Sequence, residues 1–343
     1  MINSTTTCLL CGGNSELKLE GYPGYQEPMT FEIFHCKSCN TSFSLPRLVD
    51  TKEIYDSIYA NGINVPSYSR YWIYAESVKK KTKPFDYLAR SEHVYWGVRE
   101  SLSKVIKNKH DSKILEVGSG LGYLTFSLNK AGYNATGIDI SEKAVDQARE
   151  NYGNLYVCAD IYKYANEKAN SYDLVILTEL IEHVEDPLGF MEVVMNLLKP
   201  GGKVILTTPN KTIFPNEIIW LTELPPVHCW WFSEQSVKYI AKRLNAKVSF
   251  VDFTNYYKKK VFQYNIHKLK NRPFPLAILD ENGKVVVNKK RKTKPRVISM
   301  IRIILFKVPF VTDVYKKLQG LFNPGLITCK EKGIVLCGVI EKL

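Results

Sequence analysis

The 343 residues predict an α/β chain. A doubly wound sheet of seven strands is fronted by a small cysteine-bearing module and interrupted by a basic insertion before its last strand. Three observations carry this. A strand, a glycine-rich loop and a helix follow one another in KILEVGSGLGYLTFSLNKAGY, 113–133. Two Cys-x-x-Cys pairs stand near the N-terminus. The charge is uneven: residues 255–330 hold 18 Lys/Arg against 3 Asp/Glu and the rest hold 29 against 31, so the net +13 belongs to one segment.

The expected division is a metal-binding module at 1–48, an aromatic lid segment at 49–110, the core at 111–254, the basic insertion at 255–330 and the final core strand at 331–343. An apolar content of 45% is enough for a sizeable core. Aliphatic runs such as Leu174–Leu177 and Ile303–Phe306 fall far short of the about 20 residues a spanning helix needs. The start, MINSTTTCLLC, has neither the basic nor the long apolar region of a signal peptide, so a cytoplasmic protein is expected.

In the module, Cys8-Leu9-Leu10-Cys11 is followed by Gly12, and Cys36-Lys37-Ser38-Cys39 by Asn40. Two intervening residues let both sulfurs of a pair face inward around a tight turn. Gly or Asn just afterwards supplies the left-handed backbone such turns need. Two such knuckles give four thiolates, the set zinc takes when its role is structural, and strand-like Phe31–Phe34 running into the second pair fits a zinc ribbon. A redox Cys-x-x-Cys normally comes singly, at a strand-to-helix junction. So short a module buries little core, so metal binding is also its folding energy. Cys158, Cys229, Cys329 and Cys337 are scattered and read as buried thiols.

In the core, Ile114, Leu115 and Val117 form a short strand, and Gly118, Gly120 and Gly122 let the backbone turn sharply and approach a ligand. A second strand, Ala135–Ile138, ends at Asp139, where an acid can bind ribose hydroxyls. A dinucleotide fingerprint would need glycine at 123, where Tyr123 stands, which disfavours a nicotinamide enzyme. The pattern Glu116-x-Gly118-x-Gly120-x-Gly122 resembles motif I of the class I S-adenosylmethionine-dependent methyltransferases, and further landmarks follow in order. By this resemblance Asp139 and Ile140 are the ribose-binding end of the second strand, Asp160 and Ile161 contact adenine, YDLVILTELIEHVEDP (172–187) is motif IV with Thr178 at the donor site, and LKPGGKVILTTPN (198–210) is the following turn and fifth strand. The resemblance implies a Rossmann-like fold with S-adenosylmethionine as cofactor. Ala246–Phe253 and Gly333–Ile340 then read as the sixth and seventh strands, and Ser233 as the N-cap of the helix between strands five and six.

If Thr178–Val184 opens a helix, Glu179, Glu182 and His183 share one face at i, i+3 and i+4, with His228 in a later loop completing the set. A similar Glu-x-x-Glu-His plus later His occurs in metal-dependent O-methyltransferases of the quinone-biosynthesis and small-RNA 3′-end families, which implies Mg²⁺ or a similar hard cation. The alternative is a metal-free site in which His183 or His228 shapes the pocket or acts as base, so His183, His228 and Glu182 are the expected catalytic residues. The aromatic stretch Ile54–Tyr95 resembles a lid over the cofactor cleft; ordinary packing helices are the other reading.

The paired N-terminal cysteines resemble those of bacterial methyltransferases acting on sugars and surface-polysaccharide precursors, which implies O-methylation of a saccharide or other small polyhydroxyl acceptor. The sugar C-methyltransferases that share the cysteines usually carry a further C-terminal domain, which this shorter chain is expected to lack; a quinone-type methyltransferase or a sugar C-methyltransferase is the alternative. The basic insertion, with LAILDENGKVVVN (276–288) as a hairpin, KKRKTKPR (289–296) and the apolar-basic run 297–322, offers other readings. It is a surface for RNA phosphates, a peripheral contact with an anionic inner-membrane surface that presents lipid-linked acceptors, or a solvated insertion whose apolar side packs on the domain.

Overall fold

The computed structural model describes residues 4–47, 51–65, 68–219, 224–258, 262–286 and 325–343. The chain opens with four antiparallel strands, β1 (Thr5–Thr7), β2 (Asn14–Pro23), β3 (Thr30–Cys36) and β4 (Thr41–Leu45). The two knuckles are the turns after β1 and after β3. Gly12 at φ 75° and Asn40 at φ 54° are the left-handed residues expected of them.

Four helices follow: α1 (Lys52–Asn61), α2 (Ser69–Val78), α3 (Pro84–Ser91) and α4 (His93–Val105). The alternating part then runs β5 (Lys113–Val117), α5 (Tyr123–Lys130), β6 (Asn134–Asp139), α6 (Glu142–Tyr152), β7 (Tyr156–Cys158), α7 (Ile161–Glu167), β8 (Tyr172–Thr178), α8 (Pro187–Leu197) and β9 (Leu198–Pro209). It is completed by β10 (Trp230–Trp231), α9 (Glu234–Arg243), β11 (Ala246–Phe250), α10 (Thr254–Tyr257), β12 (Gln263–Asn265), α11 (Ile266–Lys270), β13 (Leu326–Thr328) and β14 (Val335–Lys342). As expected, Ser233 caps α9; its side chain accepts from the Ser236 amide and Ser236 answers at the Ser233 amide.

The main sheet has the order β11-β14-β9-β8-β5-β6-β7, with β14 antiparallel to both its neighbours. This is the expected doubly wound, Rossmann-like sheet of seven strands. Successive residues feed opposite layers, as the two-residue period of a strand requires. Leu115, Val117, Val175, Leu177, Val204 and Leu206 enter the core that also holds residues of α8 and α9. Ile114, Leu174, Ile176 and Ile205 enter the core formed with α3, α4 and α5. Strand order reverses between β5 and β8, and ligands bind at the carboxyl ends of strands flanking such a point.

Two features tie the small sheet to the large one. β10 pairs antiparallel with β4, so the cysteine module's sheet takes a fifth strand from the segment after β9. The insertion crosses back to the module as well. Residues 279 and 285 bridge as in the expected hairpin, and the Ile278 and Leu279 amides donate to the Tyr25 carbonyl at 2.9 Å each. Leu279 is fully buried with Tyr22, Ile33, Ile54 and Trp231. At its neck the insertion is closed by β12 pairing with β13. Lys289–Arg296 and the run 297–322 lie outside the described residues.

One local expectation fails. No helix begins at Thr178: β8 ends there, Glu179 takes φ 50°, and only a single 3₁₀ turn, Ile181–His183, follows. The Glu179 amide donates to the Thr207 carbonyl and hydroxyl, which holds the chain beside β9. The helix starts later, at Pro187, where Asp186 caps it and proline costs nothing in the first turn.

Candidate active site

A cleft of about 1250 Å³ opens at the carboxyl ends of β5, β6 and β8. Single-ligand pockets run to about 1,000 Å³, so this one has room for two molecules side by side.

One half is built by the glycine loop. Gly118 (φ 74°) and Gly120 (φ 48°) line the cleft, and a Cβ on Gly120 would find only the Tyr59 hydroxyl, at 3.8 Å. Gly122 corrects the sequence reading: it does not line the cleft. At φ 79°, its missing Cβ would stand 2.6 Å from Ala148 Cβ and 2.7 Å from the Tyr156 ring, so this glycine lets α5 sit close to α6 and β7. Glu116 is buried, takes a short hydrogen bond from the Thr125 hydroxyl, and is pushed by burial up to about 8. Asp139 accepts from the Gly120 amide at 2.7 Å and the Ser141 amide at 2.9 Å, and burial raises its carboxyl above the ordinary range. Asp160 caps α7 by accepting from the Tyr162 and Lys163 amides. Ile140, Ile161 and Thr178 complete this wall, with Ile140 73% exposed at its rim.

The other half is built by motif IV and the loop before β10. The His183 and His228 rings meet edge to face with centroids 4.4 Å apart. His183 Nδ1 lies 2.6 Å from the Val227 carbonyl oxygen and 3.1 Å from the Tyr55 hydroxyl. A carbonyl only accepts, so Nδ1 carries the hydrogen and Nε2 keeps the lone pair. Burial pulls His183 down to about 4 and holds His228 well below the ordinary imidazole range, so both rings are neutral at pH 7.

Glu182 is fully buried and stands behind the cleft wall. Its Oε2 accepts from the Thr208 hydroxyl at 2.9 Å, and its Oε1 lies 3.9 Å from His228 Nε2. Glu182, His183 and His228 each present a ligand atom within 4.8 Å of one another. Glu179 is not in that group. The left-handed turn places it in the cleft, where burial raises it to about 7 against the pull of Arg70. The one-face arrangement therefore does not form, because it required helical geometry from Thr178 onward.

The aromatic stretch divides between its two readings. Tyr55, Tyr59, Tyr68, Tyr71, Trp72 and Tyr95 line the cleft, whereas Tyr74 and Trp96 are buried in the core beneath. Arg70, Glu92, His93, Tyr256 and Phe262 also line the cleft and were not anticipated. Arg70 pairs with Glu92 at 3.0 Å and donates to the Tyr71 hydroxyl. Its isolation in an aromatic run was the available signal; for Tyr256 and Phe262, brought in by the insertion, there was none.

At the N-terminus Cys8 Sγ lies 3.7 Å from Cys39 Sγ, and Cys11 Sγ 3.5 Å from Cys36 Sγ. All four lie within 4.8 Å of one another. A tetrahedron with zinc–sulfur bonds of about 2.3 Å has edges of about 3.8 Å, so the thiols stand at the spacing zinc imposes. The hydrogen bond between Cys8 and Cys39 draws Cys8 down and pushes Cys39 up, and burial raises Cys11 to about 11.

The chain is similar in sequence to known methyltransferases. A family model described as a methyltransferase domain matches residues 91–249. A ubiquinone biosynthesis O-methyltransferase of Vibrio parahaemolyticus is 39% identical over 106 residues, 29% of this chain and 45% of the relative. One from Colwellia psychrerythraea is 37% identical over 128 residues, 36% of this chain and 51% of the relative. The chain thus spans about half the length of these curated relatives. A solved S-adenosylmethionine-dependent methyltransferase from Archaeoglobus fulgidus is 16% identical, with 71% of this chain and 93% of that one covered at a TM-score of 0.39. Residues 91–249 carry a methyltransferase domain. No helix among the described residues is long and apolar enough to cross a membrane.

Proposed function

We propose that this protein transfers the methyl group of S-adenosylmethionine to a hydroxyl of a small polyhydroxylated acceptor. The observation that carries the reading is the continuous cleft, which joins a glycine-loop half to a half holding two neutral histidines. Bound S-adenosylmethionine supplies an electrophilic methyl group on a sulfonium. Gly118 and Gly120 leave backbone room for it; Asp139, Ile140, Asp160, Ile161 and Thr178 are the residues that would hold it.

Holding two reactants in line is worth about 7–11 kcal/mol, so most of the catalysis asked of this chain is positioning. The remaining task is the acceptor's proton. His183, with its Nδ1 hydrogen committed to Val227, offers Nε2 as the base. His228 packs against that ring, with the Glu182 carboxylate behind it.

A base held near 4 is weak, and this bears on the acceptor. A phenol, ordinarily near pH 10, yields its proton to such a base far more readily than an aliphatic hydroxyl, whose acidity is nearer water's, about 15.7. The sequence pointed to saccharides, whereas the similar proteins are named for ubiquinone biosynthesis. The base favours a polyhydroxylated phenol. Saccharide methylation is the second reading, favoured by the Glu182, His183 and His228 cluster, since a divalent cation there would lower the pKa of a bound alcohol. With Glu179 outside the cluster, one carboxylate and two imidazoles remain. That set suits a borderline cation such as zinc better than Mg²⁺, which prefers oxygen. The RNA and membrane readings rest on residues outside those described. We assign zinc to Cys8, Cys11, Cys36 and Cys39 as a structural ion.

The test is transfer from methyl-labelled donor to a panel of catechol-type phenols, sugar nucleotides and RNA. Phenols are expected to be labelled, with His183→Ala lowering kcat about 100-fold or more while S-adenosylhomocysteine binding stays within twofold. Labelling of sugars that is lost with EDTA and in Glu182→Gln would establish the second reading. Labelling of RNA alone would overturn both.

A further inference from the structure

The second cysteine knuckle leads, by an unbroken run of hydrogen bonds, to the loop that carries His228. Two residues after Cys39 the chain enters β4, and β4 is the strand that pairs with β10, with Trp230 opposite Phe43 and Trp231 opposite Ser42. The ladder continues past the named strand: the Ser44 amide donates to the Cys229 carbonyl at 3.1 Å. His228 is the next residue. The Cys229 amide in turn donates to the Glu182 carbonyl at 3.0 Å, and the Val227 carbonyl holds His183 Nδ1.

The side chains follow the same route. Trp230 is buried among Phe43 and Phe232, with the Arg47 guanidinium 4.2 Å above its ring and its indole N–H donating to the Val184 carbonyl. The knuckle is bonded to the core on its other side too. Ser236 donates to the Cys39 and Asn40 carbonyls, and Gln235 donates to the Ser38 carbonyl at 2.8 Å.

Among the described residues no such hydrogen-bonded route leads to the glycine-loop half of the cleft, which meets the module through the apolar core around Leu115, Val117 and Ile138. Asp139 and Gly120 hold each other, and Asp160 is tied to its own helix. The two halves of the cleft share an apolar core but differ in their hydrogen-bonded support.

We propose that the four-cysteine module is a positioning element for the acceptor half of the active site: β4, held in place by a loaded metal knuckle, sets where Val227 and His228 stand against His183 and Glu182. This rests on the assignment of zinc to the four thiolates and on the placing of His183 and His228 at the acceptor. The physical reason is the size of the module. It buries little core of its own, so without the metal the Cys36–Asn40 turn loses its closure, and β4 loses the anchor at its start. A two-residue strand such as β10 has no independent stability and keeps its place only while β4 does.

The experiment is hydrogen exchange on the full chain, as purified, after zinc chelation and after zinc is restored, with S-adenosylhomocysteine affinity and metal content measured on each sample. Metal removal is expected to speed amide exchange at 227–232 at least 10-fold, reversed by zinc, while S-adenosylhomocysteine affinity and exchange in β5 and β6 change less than twofold. Cys36→Ser should reproduce the chelated pattern. Should that variant fail to fold, chelation and restoration of the unmutated chain decide alone. Unchanged exchange at 227–232 in chelated protein would overturn the proposal, and so would loss of the whole core together with the ligand. A chain that never holds zinc would instead overturn the metal assignment beneath it.

Discussion

Gly120 and Gly122 stand two residues apart, both at positive φ, yet a methyl group added to each should do opposite things. At Gly122 the new Cβ meets Ala148 Cβ at 2.6 Å and the Tyr156 ring at 2.7 Å, all inside the interface of α5 with α6 and β7. The left-handed backbone costs a non-glycine residue about 1–2 kcal/mol. Forcing a methyl into a packed interior adds about 1–3 kcal/mol. Gly122→Ala should therefore destabilise the protein by about 2–5 kcal/mol, a large part of the about 5–15 kcal/mol that a domain possesses. At Gly120 the same methyl finds open cleft, with the Tyr59 hydroxyl 3.8 Å away. Gly120→Ala should bear only the backbone term of about 1–2 kcal/mol, but its Cβ occupies space the donor needs. Urea denaturation with and without S-adenosylhomocysteine separates the two. Gly122→Ala should lose stability and, while folded, keep the increment that the ligand adds; Gly120→Ala should keep most of its stability and lose that increment, with affinity down at least tenfold. Equal ligand stabilisation of Gly120→Ala and the unmutated chain would refute the assignment of this loop to the donor.

Further outcomes follow from the buried charges. Glu116 titrates near 8 in the fold against an ordinary value near 4.5. Its raised value means that its contribution to stability is complete below about pH 4.5 and is lost as pH rises through about 8. Glu116→Gln, which keeps the shape without the charge, should gain stability relative to the unmutated protein between pH 6 and 9, and denaturation curves at pH 5 and pH 9 should show the gap widening with pH. His183 shows the opposite sign. Held down to about 4, it stays neutral in the fold while an unfolded histidine gains a proton near 6.5, so its contribution is present above about 6.5 and is lost as pH falls toward 4. His183→Gln should flatten that acid-side loss. Thr208→Val removes the hydroxyl that serves the buried Glu182 carboxylate and should cost about 1.5–3 kcal/mol; a change under 0.5 kcal/mol by denaturation would show that this hydroxyl does not support Glu182. Tyr55→Phe should lower turnover less than tenfold, because the Val227 carbonyl alone keeps the hydrogen on His183 Nδ1.

What the sequence determined by itself was local. A Cys-x-x-Cys pair followed by Gly12 or Asn40 is a turn chemistry that few contexts alter, and both residues took the left-handed conformation. The strands were legible because Ile114 through Val117 and Leu174 through Leu177 need apolar partners on both faces, which a sheet covered by helices on each side supplies. Gly118 and Gly120 with Asp139 announced one wall of the cleft because loop, acid and helix lie within one short βαβ unit. Tertiary structure decided the rest. Glu179, three residues before Glu182, looked helical in spacing, but hydrogen bonds to Thr207, twenty-eight residues away, bent it out of the set. Gly122 resembled its two neighbours in the motif and faces the core instead, because the side a glycine presents depends on what packs against it. The acceptor half is assembled from α1, α2, the turn after β8, the loop before β10 and the start of the insertion, so no single stretch of sequence holds its pattern. The cysteine module and the core also meet where no local pattern announces it. One backbone ladder, β4 with β10, gives the module's sheet a strand from the segment after β9, and strand pairing across nearly two hundred residues leaves no mark in either strand alone.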